Sequence, residues 1–168
     1  TAHALTYMIG DSIVDVHYYE YGDVIEAVVA KDVPGAEFSG WEGLPATMPN
    51  KDLVVKGEYV VRYIAFADAA VESICLTNWD ANDDGILSLE EAAVVTDLGT
   101  VFKNNSKIKT FDELKYFTGL TKIGSNTFYY CTSLEFVSFP NTIKTIEASV
   151  FYGCNNLKSL VIPASVTS

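Results

Sequence analysis

The chain has 168 residues, 49% of them hydrophobic, which is enough for one ordinary domain or two to three small ones. Its 22 acidic and 11 basic residues give a net charge of −11, which disfavours binding to nucleic acid or to an anionic membrane surface. No apolar run reaches the roughly 18 residues that a membrane-spanning helix needs, so we expect no membrane insertion by these residues.

Residues 1–62 have the pattern of a small β-rich module. The stretch ALTYMIGDSIVDVHYYEYGDVI (4–25) alternates apolar and polar positions and is rich in β-branched and aromatic residues. Gly10 and Gly22 provide turns, and LVVKGEYVV (53–61) has the composition of a further strand. The pattern predicts four or five strands.

The second half of this module, FSGWEGLPATMPNKDLVVKGEY (38–59), resembles the Listeria–Bacteroides repeat. The residues that carry the resemblance are Phe38, Gly40, Trp41, Pro45, Met48, Pro49 and Asp52. It implies a β-grasp-like spacer or contact module without a catalytic site. Trp41 is either a surface anchor for a ligand or part of a small core, and we favour the core.

Residues 63–103 form the predicted linker and helical joint. Asp68 has the chemistry of a helix N-cap, and Val71, Ile74 and Cys75 follow at helical spacing as its apolar face. A second helix is predicted from Leu89 to about Leu98, with Gly99 as the residue that ends it.

The segment DANDDGILSLEE (80–91), between the two predicted helices, has the spacing of a calcium-binding EF-hand loop. Oxygen-bearing side chains stand at positions 1, 3, 5, 9 and 12, a glycine at position 6 allows the sharp turn, and position 7 lends its main-chain carbonyl. The predicted calcium ligands are Asp80, Asn82, Asp84, Ile86, Ser88 and Glu91.

A second interpretation of the same loop needs no ion. Ser88 and Glu91 are spaced as a capping box for the second helix, although a capping box does not explain the oxygens at Asp80, Asn82 and Asp84. Because no second loop is present to form a sensor pair, we expect weak binding, at about 10⁻⁴–10⁻³ M, by an ion that stabilises the joint.

Residues 104–168 contain an internal repeat. Residues 121–142 align with residues 144–165 at a fixed offset of 23, and the period predicts coils of a leucine-rich-repeat β-solenoid. The matched pairs are Ile123 and Ile146, Phe128 and Phe151, Cys131 and Cys154, Leu134 and Leu157, Val137 and Leu160, Phe139 and Ile162, and Pro140 and Pro163.

The strands of each coil are predicted at EFVSF and KSLVI, and Pro140 and Pro163 end them because proline has no N–H for the ladder. Residues 111–123 have the same spacing in a degenerate form and predict a first, capping coil. In this alignment Phe111, Leu114, Leu120 and Ile123 correspond to Leu134, Val137, Ile143 and Ile146.

The run F-x-x-C-x-x-L-x-x-[VL]-x-[FI]-P, at 128–140 and 151–163, resembles the BspA-type leucine-rich repeats of bacterial surface proteins. The resemblance implies an exported protein that acts in adhesion or protein binding, with a helical lead-in that caps the repeats. It also implies that Cys131 and Cys154 are buried thiols; a disulfide between adjacent rungs is the alternative.

We therefore expect a multi-domain α+β protein: a β-grasp-like module (1–62), an EF-hand-like helical cap (63–103) and leucine-rich repeats (104–168). It is expected to be a monomeric piece of a longer extracellular or cell-surface protein. Its partner would be a host or matrix protein or a polysaccharide, with Phe136, Tyr129 and Tyr130 as candidate contacts.

An enzyme is disfavoured, because the only histidines, His3 and His17, stand in no nucleophile motif. The alternative role is a structural stalk that presents another domain.

Overall fold

The alternating pattern of the first 62 residues folds into four strands: β1 (His3–Ile9), β2 (Ser12–Tyr19), β3 (Ala36–Glu42) and β4 (Leu53–Val61). The computed structural model describes all residues from 1 to 168 and divides them into two units, Thr1–Arg62 and Tyr63–Ser168. The strands of the first unit form one mixed sheet in the order β2-β1-β4-β3. The central pair β1 and β4 is parallel, and both outer pairs are antiparallel.

One face of this sheet is covered by a small core. Leu5, Tyr7 and Val55 point into it from the two central strands, and Met48 comes from the loop before β4. Trp41 packs against this core, with its ring centroid 4.9 Å from that of Tyr7. Its indole Nε1 donates to the carbonyl of Val28 at 2.7 Å, so Trp41 is a partly buried member of this core, in agreement with the interpretation that we favour.

The four strands agree with the predicted number. The mixed order is compatible with a β-grasp-like module, although residues 20–35, between β2 and β3, form no helix. The resemblance to the Listeria–Bacteroides repeat stays a prediction.

In the second unit, helix α1 (Ala69–Trp79) begins as predicted. Asp68 is its N-cap, and Val71 and Cys75 are the buried residues of its inner face. Helix α2 (Leu89–Ala93) starts at the predicted residue, but the prediction that it continues to Leu98 is wrong.

The early end of α2 has a sequence cause and a packing cause. Val94, Val95 and Thr96 are β-branched and favour helix only weakly. In addition, the backbone of Gly119 lies directly against the carbonyls of Ala93 and Val95. Gly99 therefore does not end a helix as predicted; it lies at φ +58° in a turn where Asp97 accepts its N–H at 2.8 Å.

The repeats form five short strands: β5 (Thr110–Phe111), β6 (Lys122–Ile123), β7 (Phe136–Ser138), β8 (Thr145–Ile146) and β9 (Ser159–Val161). They make two parallel sheets, β5-β7-β9 and β6-β8. Strand β7 pairs with β9 residue for residue at the repeat offset, for example Val137 with Leu160. The β-solenoid that such pairing would build over further coils stays a prediction.

The first coil differs from its predicted alignment by three residues in its first half. Phe111 pairs with Val137, and not with Leu134 as the offset of 23 predicted. The second half is in the predicted register, since Ile123 pairs with Ile146. The cause is a 3₁₀ helix (Asp112–Tyr116), which follows β5 in the first coil. In the next coil, the chain instead continues from β7 into Pro140 without such a helix.

A single hydrophobic core joins the helices of this unit to its repeats. Phe102, Phe111 and Phe128 are fully buried at its centre, with ring centroids of Phe102 5.2 Å from Phe111 and 5.4 Å from Phe128. Val71 and Cys75 of α1 belong to the same cluster. The predicted boundary between residues 103 and 104 thus lies inside one packed unit.

Candidate functional site

The loop between α1 and α2 brings oxygen atoms inward at its start. Asp80 Oδ2 accepts the N–H of Gly85 at 2.9 Å, so the first and sixth positions of the loop are joined. Asp83 (φ +58°) and Gly85 (φ +81°) supply the left-handed backbone that turns the chain. The other carboxylate oxygen, Asp80 Oδ1, is buried and has no hydrogen-bond partner.

The next two predicted ligands bind the backbone of the loop itself. Asn82 Oδ1 accepts the N–H of Asp84 at 3.1 Å, and Asp84 Oδ1 accepts the N–H of Ile86 at 3.0 Å. These residues lie on the exposed part of the loop. Ile86 has an apolar side chain, so only its carbonyl is available as a ligand.

Glu91 closes the loop from its far end. Its Oε2 accepts from both the N–H and the hydroxyl of Ser88 at 2.9 Å, and Oε1 accepts the N–H of Ala81 at 2.9 Å. The Ser88 hydroxyl accepts the N–H of Glu91 in return, which completes the predicted capping box. Hydrogen bonds from the N–H and hydroxyl of Ser88 lower the pKa of Glu91, with smaller contributions from Ala81 and Asn82.

The structure does not gather the three candidate carboxylates, Asp80, Asp84 and Glu91, into one cluster. No group of three or more His, Cys, Asp or Glu side chains is close enough together to hold a metal ion. The donor set is nevertheless all oxygen, as a hard cation requires, and the buried, unpartnered Asp80 Oδ1 lacks the donor or cation that such an atom needs. The residues therefore fit calcium in chemistry, and binding stays a prediction.

The loop has a β-partner that the sequence did not reveal. Leu87, at position 8, is buried, and its carbonyl accepts the N–H of Ile64 at 2.8 Å. Tyr63 and Ser88 form an antiparallel bridge beside it. The segment before α1 thus pairs with the end of the loop. Its only sequence signal is the short apolar run from Tyr63 to Phe66.

Two carboxylates attach the helical joint to the first repeat. Asp68 Oδ1 caps α1, while its Oδ2 accepts the N–H groups of Lys109 at 2.6 Å and Thr110 at 3.2 Å. Partial burial raises the pKa of Asp68, but the four backbone N–H donors outweigh it and the pKa is lowered overall. Glu113 Oε1 accepts the N–H of Ala67 at 2.9 Å, and its buried Oε2 has no partner.

Three tyrosines on adjacent repeats form an exposed group, which we call the tyrosine cluster (Tyr129, Tyr130 and Tyr152). Tyr129 stacks on Tyr152, with ring centroids 5.2 Å apart and planes at 14°. Tyr130 packs on both rings, and the Lys103 ammonium lies 5.1 Å from the centroid of Tyr129. The side chains of Tyr130 and Tyr152 remain 43% and 57% exposed.

Tyr130 has an unusual backbone for its type. It adopts φ +54°, and the corresponding residues of the neighbouring coils are Asn104 at φ +59° and Gly153 at φ +77°. Asparagine and glycine enter this region readily, whereas a bulky aromatic residue there is strained. The ring of Tyr130 lies over Gly153, where a β-carbon would meet it at 2.9 Å. Phe136, the other predicted contact, lies half-buried on β7.

The repeat cysteines are free thiols with a repeated hydrogen bond. Cys131 Sγ donates to the carbonyl of Phe102, and Cys154 Sγ to that of Phe128, both at 3.0 Å. Burial raises the pKa of Cys131 to about 12, so this thiol is unreactive at neutral pH. The structure agrees with the buried-thiol interpretation for Cys131, whereas Cys154 is a free thiol that is only partly buried.

The two histidines lie in polar surroundings on the first sheet. His17 Nε2 is 3.2 Å from a carboxylate oxygen of Asp15, and His3 Nε2 is 3.0 Å from the side-chain oxygen of Asn50. Neither contact pairs a histidine with a serine or cysteine nucleophile.

Parallel strands that pair at the repeat offset over a phenylalanine-rich core define the second unit as a repeat region. Residues 96–168 match the family model described as "BspA type Leucine rich repeat region (6 copies)". The match supports the BspA-type assignment of the repeats and begins upstream of residue 104. Such families are typically non-catalytic and associated with bacterial surfaces. No curated protein and no solved structure matched the chain. None of its helices is long and apolar enough to cross a membrane.

Proposed function

We propose that the protein is a non-catalytic bacterial surface protein whose repeats bind a host or matrix protein or a polysaccharide. The family of the repeats supports the surface location and the adhesive role. Within the repeats, the tyrosine cluster is the contact surface. It offers stacked aromatic faces, hydroxyl groups and one lysine on an exposed side of the coils.

The backbone of Tyr130 is the observation that carries this proposal. A left-handed conformation costs roughly 1–2 kcal/mol for a residue with a side chain. The neighbouring coils avoid that cost with Asn104 and Gly153 at the same place. An exposed aromatic ring at a strained position points to a role outside the fold, because strain of this kind collects at functional sites.

The experiment is a binding screen of the whole chain against immobilised matrix proteins and glycans. We expect at least one specific partner, and we expect Tyr130→Gly to weaken that binding about tenfold, as loss of an interface tyrosine commonly does. Tyr21→Ser is the matched control, since Tyr21 is 73% exposed and lies outside the cluster. If wild-type protein binds nothing on the panel, the stalk alternative replaces the adhesive role.

We also propose that calcium stabilises the loop between α1 and α2. The support is the oxygen-only donor set and the unpartnered Asp80 Oδ1. Asp80, Asn82, Asp84, Ile86, Ser88 and Glu91 would hold the ion, whose charge would offset that of the carboxylates. To bind the ion, the Glu91 carboxylate would have to give up the hydrogen bond that it accepts from the N–H of Ala81. That loss agrees with weak binding.

The calcium proposal predicts that millimolar calcium raises the melting temperature of the wild-type protein relative to chelator. Asp80→Asn should abolish that rise, because the amide oxygen keeps the bond from Gly85 while the charge on Oδ1 is lost. Asp83→Asn is the control: it changes the same charge at a loop position that supplies no ligand. An equal rise in all three proteins, or none in wild type, contradicts the proposal.

A further inference from the structure

Strand β2 leaves one edge of the first sheet open. It is the terminal strand of the order β2-β1-β4-β3 and has β1 as its one neighbour. It contains neither lysine nor proline, the residues that most often block an edge. Val16 and Tyr18 lie on its outer face with 37% and 72% of their side chains exposed.

The opposite edge is protected in the usual ways. Strand β3 has an irregularity between Phe38 and Trp41, and Gly40 within it takes φ +95°. Charged residues also lie along β3, and Arg62 pairs with one of them, Glu37, at 3.2 Å. The pairing of β1 with β2 also has a bulge, but it lies near the hairpin, so Asp15–Tyr19 pair with β1 in regular register. The difference between the edges indicates that β2 is open for pairing.

At the centre of β2, the backbone N–H of Val16 points away from β1. The N–H of Val16 donates to the side chain of its own neighbour, Asp15, at 2.8 Å, and so is not used in the ladder with β1. The backbone groups of successive residues point alternately toward β1 and away from it. The N–H and C=O of Tyr18, two residues after Val16, therefore point away from β1 as those of Val16 do.

We propose that β2 pairs antiparallel with β2 of a second copy of this chain, with Val16 opposite Val16 across a two-fold axis. In this register Asp15 of each copy lies opposite His17 of the other. An acidic residue thus faces a basic one twice, and opposite charges across two strands form a stabilising pair.

The side chains in question are available for this pairing. Asp15 and His17 already contact each other within the strand at 3.2 Å, and each is close to half exposed. Val16 would exchange both backbone bonds with its copy, which places Asp15 and His17 in the closer, non-hydrogen-bonded positions. The proposal replaces the expectation of a monomer and does not depend on the proposed binding role of the repeats.

The first test is sedimentation of the whole chain over a range of concentrations. We expect a reversible dimer whose dissociation constant rises at least about tenfold in Val16→Lys, because two lysines would then lie directly opposite each other. Val54→Lys is the control: both Val16 and Val54 pair with Thr6, so they share a face, but Val54 is on an interior strand. Circular dichroism establishes that each variant is folded.

A second pair of variants tests the register itself. His17→Asp places two carboxylates opposite each other twice and should weaken the dimer about tenfold. The double variant Asp15→His with His17→Asp restores the acid–base pairs and should recover the wild-type dissociation constant. A wild-type protein that remains monomeric at millimolar concentration overturns the proposal. So does an effect of Val54→Lys equal to that of Val16→Lys, or a double variant no better than the single one.

Discussion

At the scale of the residue, Gly119 permits two chain segments of the second unit to lie very close together. A β-carbon on it would lie 2.3 Å from the carbonyl oxygen of Ala93 and 2.7 Å from that of Val95. Both are backbone atoms, so neither can move aside cheaply. The turn after the 3₁₀ helix therefore packs against the end of α2 only because position 119 has no side chain.

Gly119→Ala should destabilise the second unit by about 2–3 kcal/mol, the upper range for added volume in a packed region. Gly124→Ala is the matched control, because its β-carbon would meet no atom closer than 3.8 Å. Urea unfolding followed by Trp79 fluorescence, with Trp41 replaced by Phe, measures both effects. Equal stability of the two alanine variants would show that the backbone contact is not tight.

At the scale of the element, local signals predicted the starts of helices and strands well. The cap at Asp68 and the start of α2 depend on neighbours in sequence, and the 23-residue offset gave the pairing of β7 with β9. The end of α2 and the register of β5 were wrong because they depend on distant contacts. The capping box of Ser88 and Glu91, the second interpretation of the loop, is present in the structure, and the ligand set stays a prediction.

Asp68 connects two elements, so its ionisation should govern part of the stability of the second unit. Its folded-state pKa is lowered, so its contribution is present above the unfolded pKa of about 3.9 and is lost as pH falls through the folded value. Asp68→Asn keeps a capping oxygen for α1 but loses the charged acceptor for Lys109 and Thr110.

We expect Asp68→Asn to lower the unfolding free energy by about 1–2 kcal/mol near pH 7, a modest value because the side chain is partly exposed. The difference from wild type should shrink as pH falls below about 4, where Asp68 of the unfolded chain begins to bind a proton, and it should vanish once pH is below the lowered pKa of the folded state. Urea titrations at several pH values measure it, with Asp83→Asn as a control acid. A difference independent of pH would mean that the charge of Asp68 does not contribute.

At the scale of the whole molecule, the contrast between the β-rich residues 1–62 and the repeats is visible in the sequence. Internal repetition is visible in sequence because each coil must bury the same positions, such as Phe128 and Phe151. The tyrosine cluster was only partly predictable, since Tyr152 joins it through stacking between coils and the strain at Tyr130 is a backbone property. The loop partner at Ile64 lacked a motif and emerged only from the fold.

Tyr130→Gly tests the tyrosine cluster as a binding surface most directly when stability and affinity are measured on the same samples. We expect a melting temperature equal to or above that of wild type, because glycine relieves the left-handed strain, together with binding weakened about tenfold. A lower melting temperature with unchanged affinity would contradict it, because Tyr130 would then serve the fold alone.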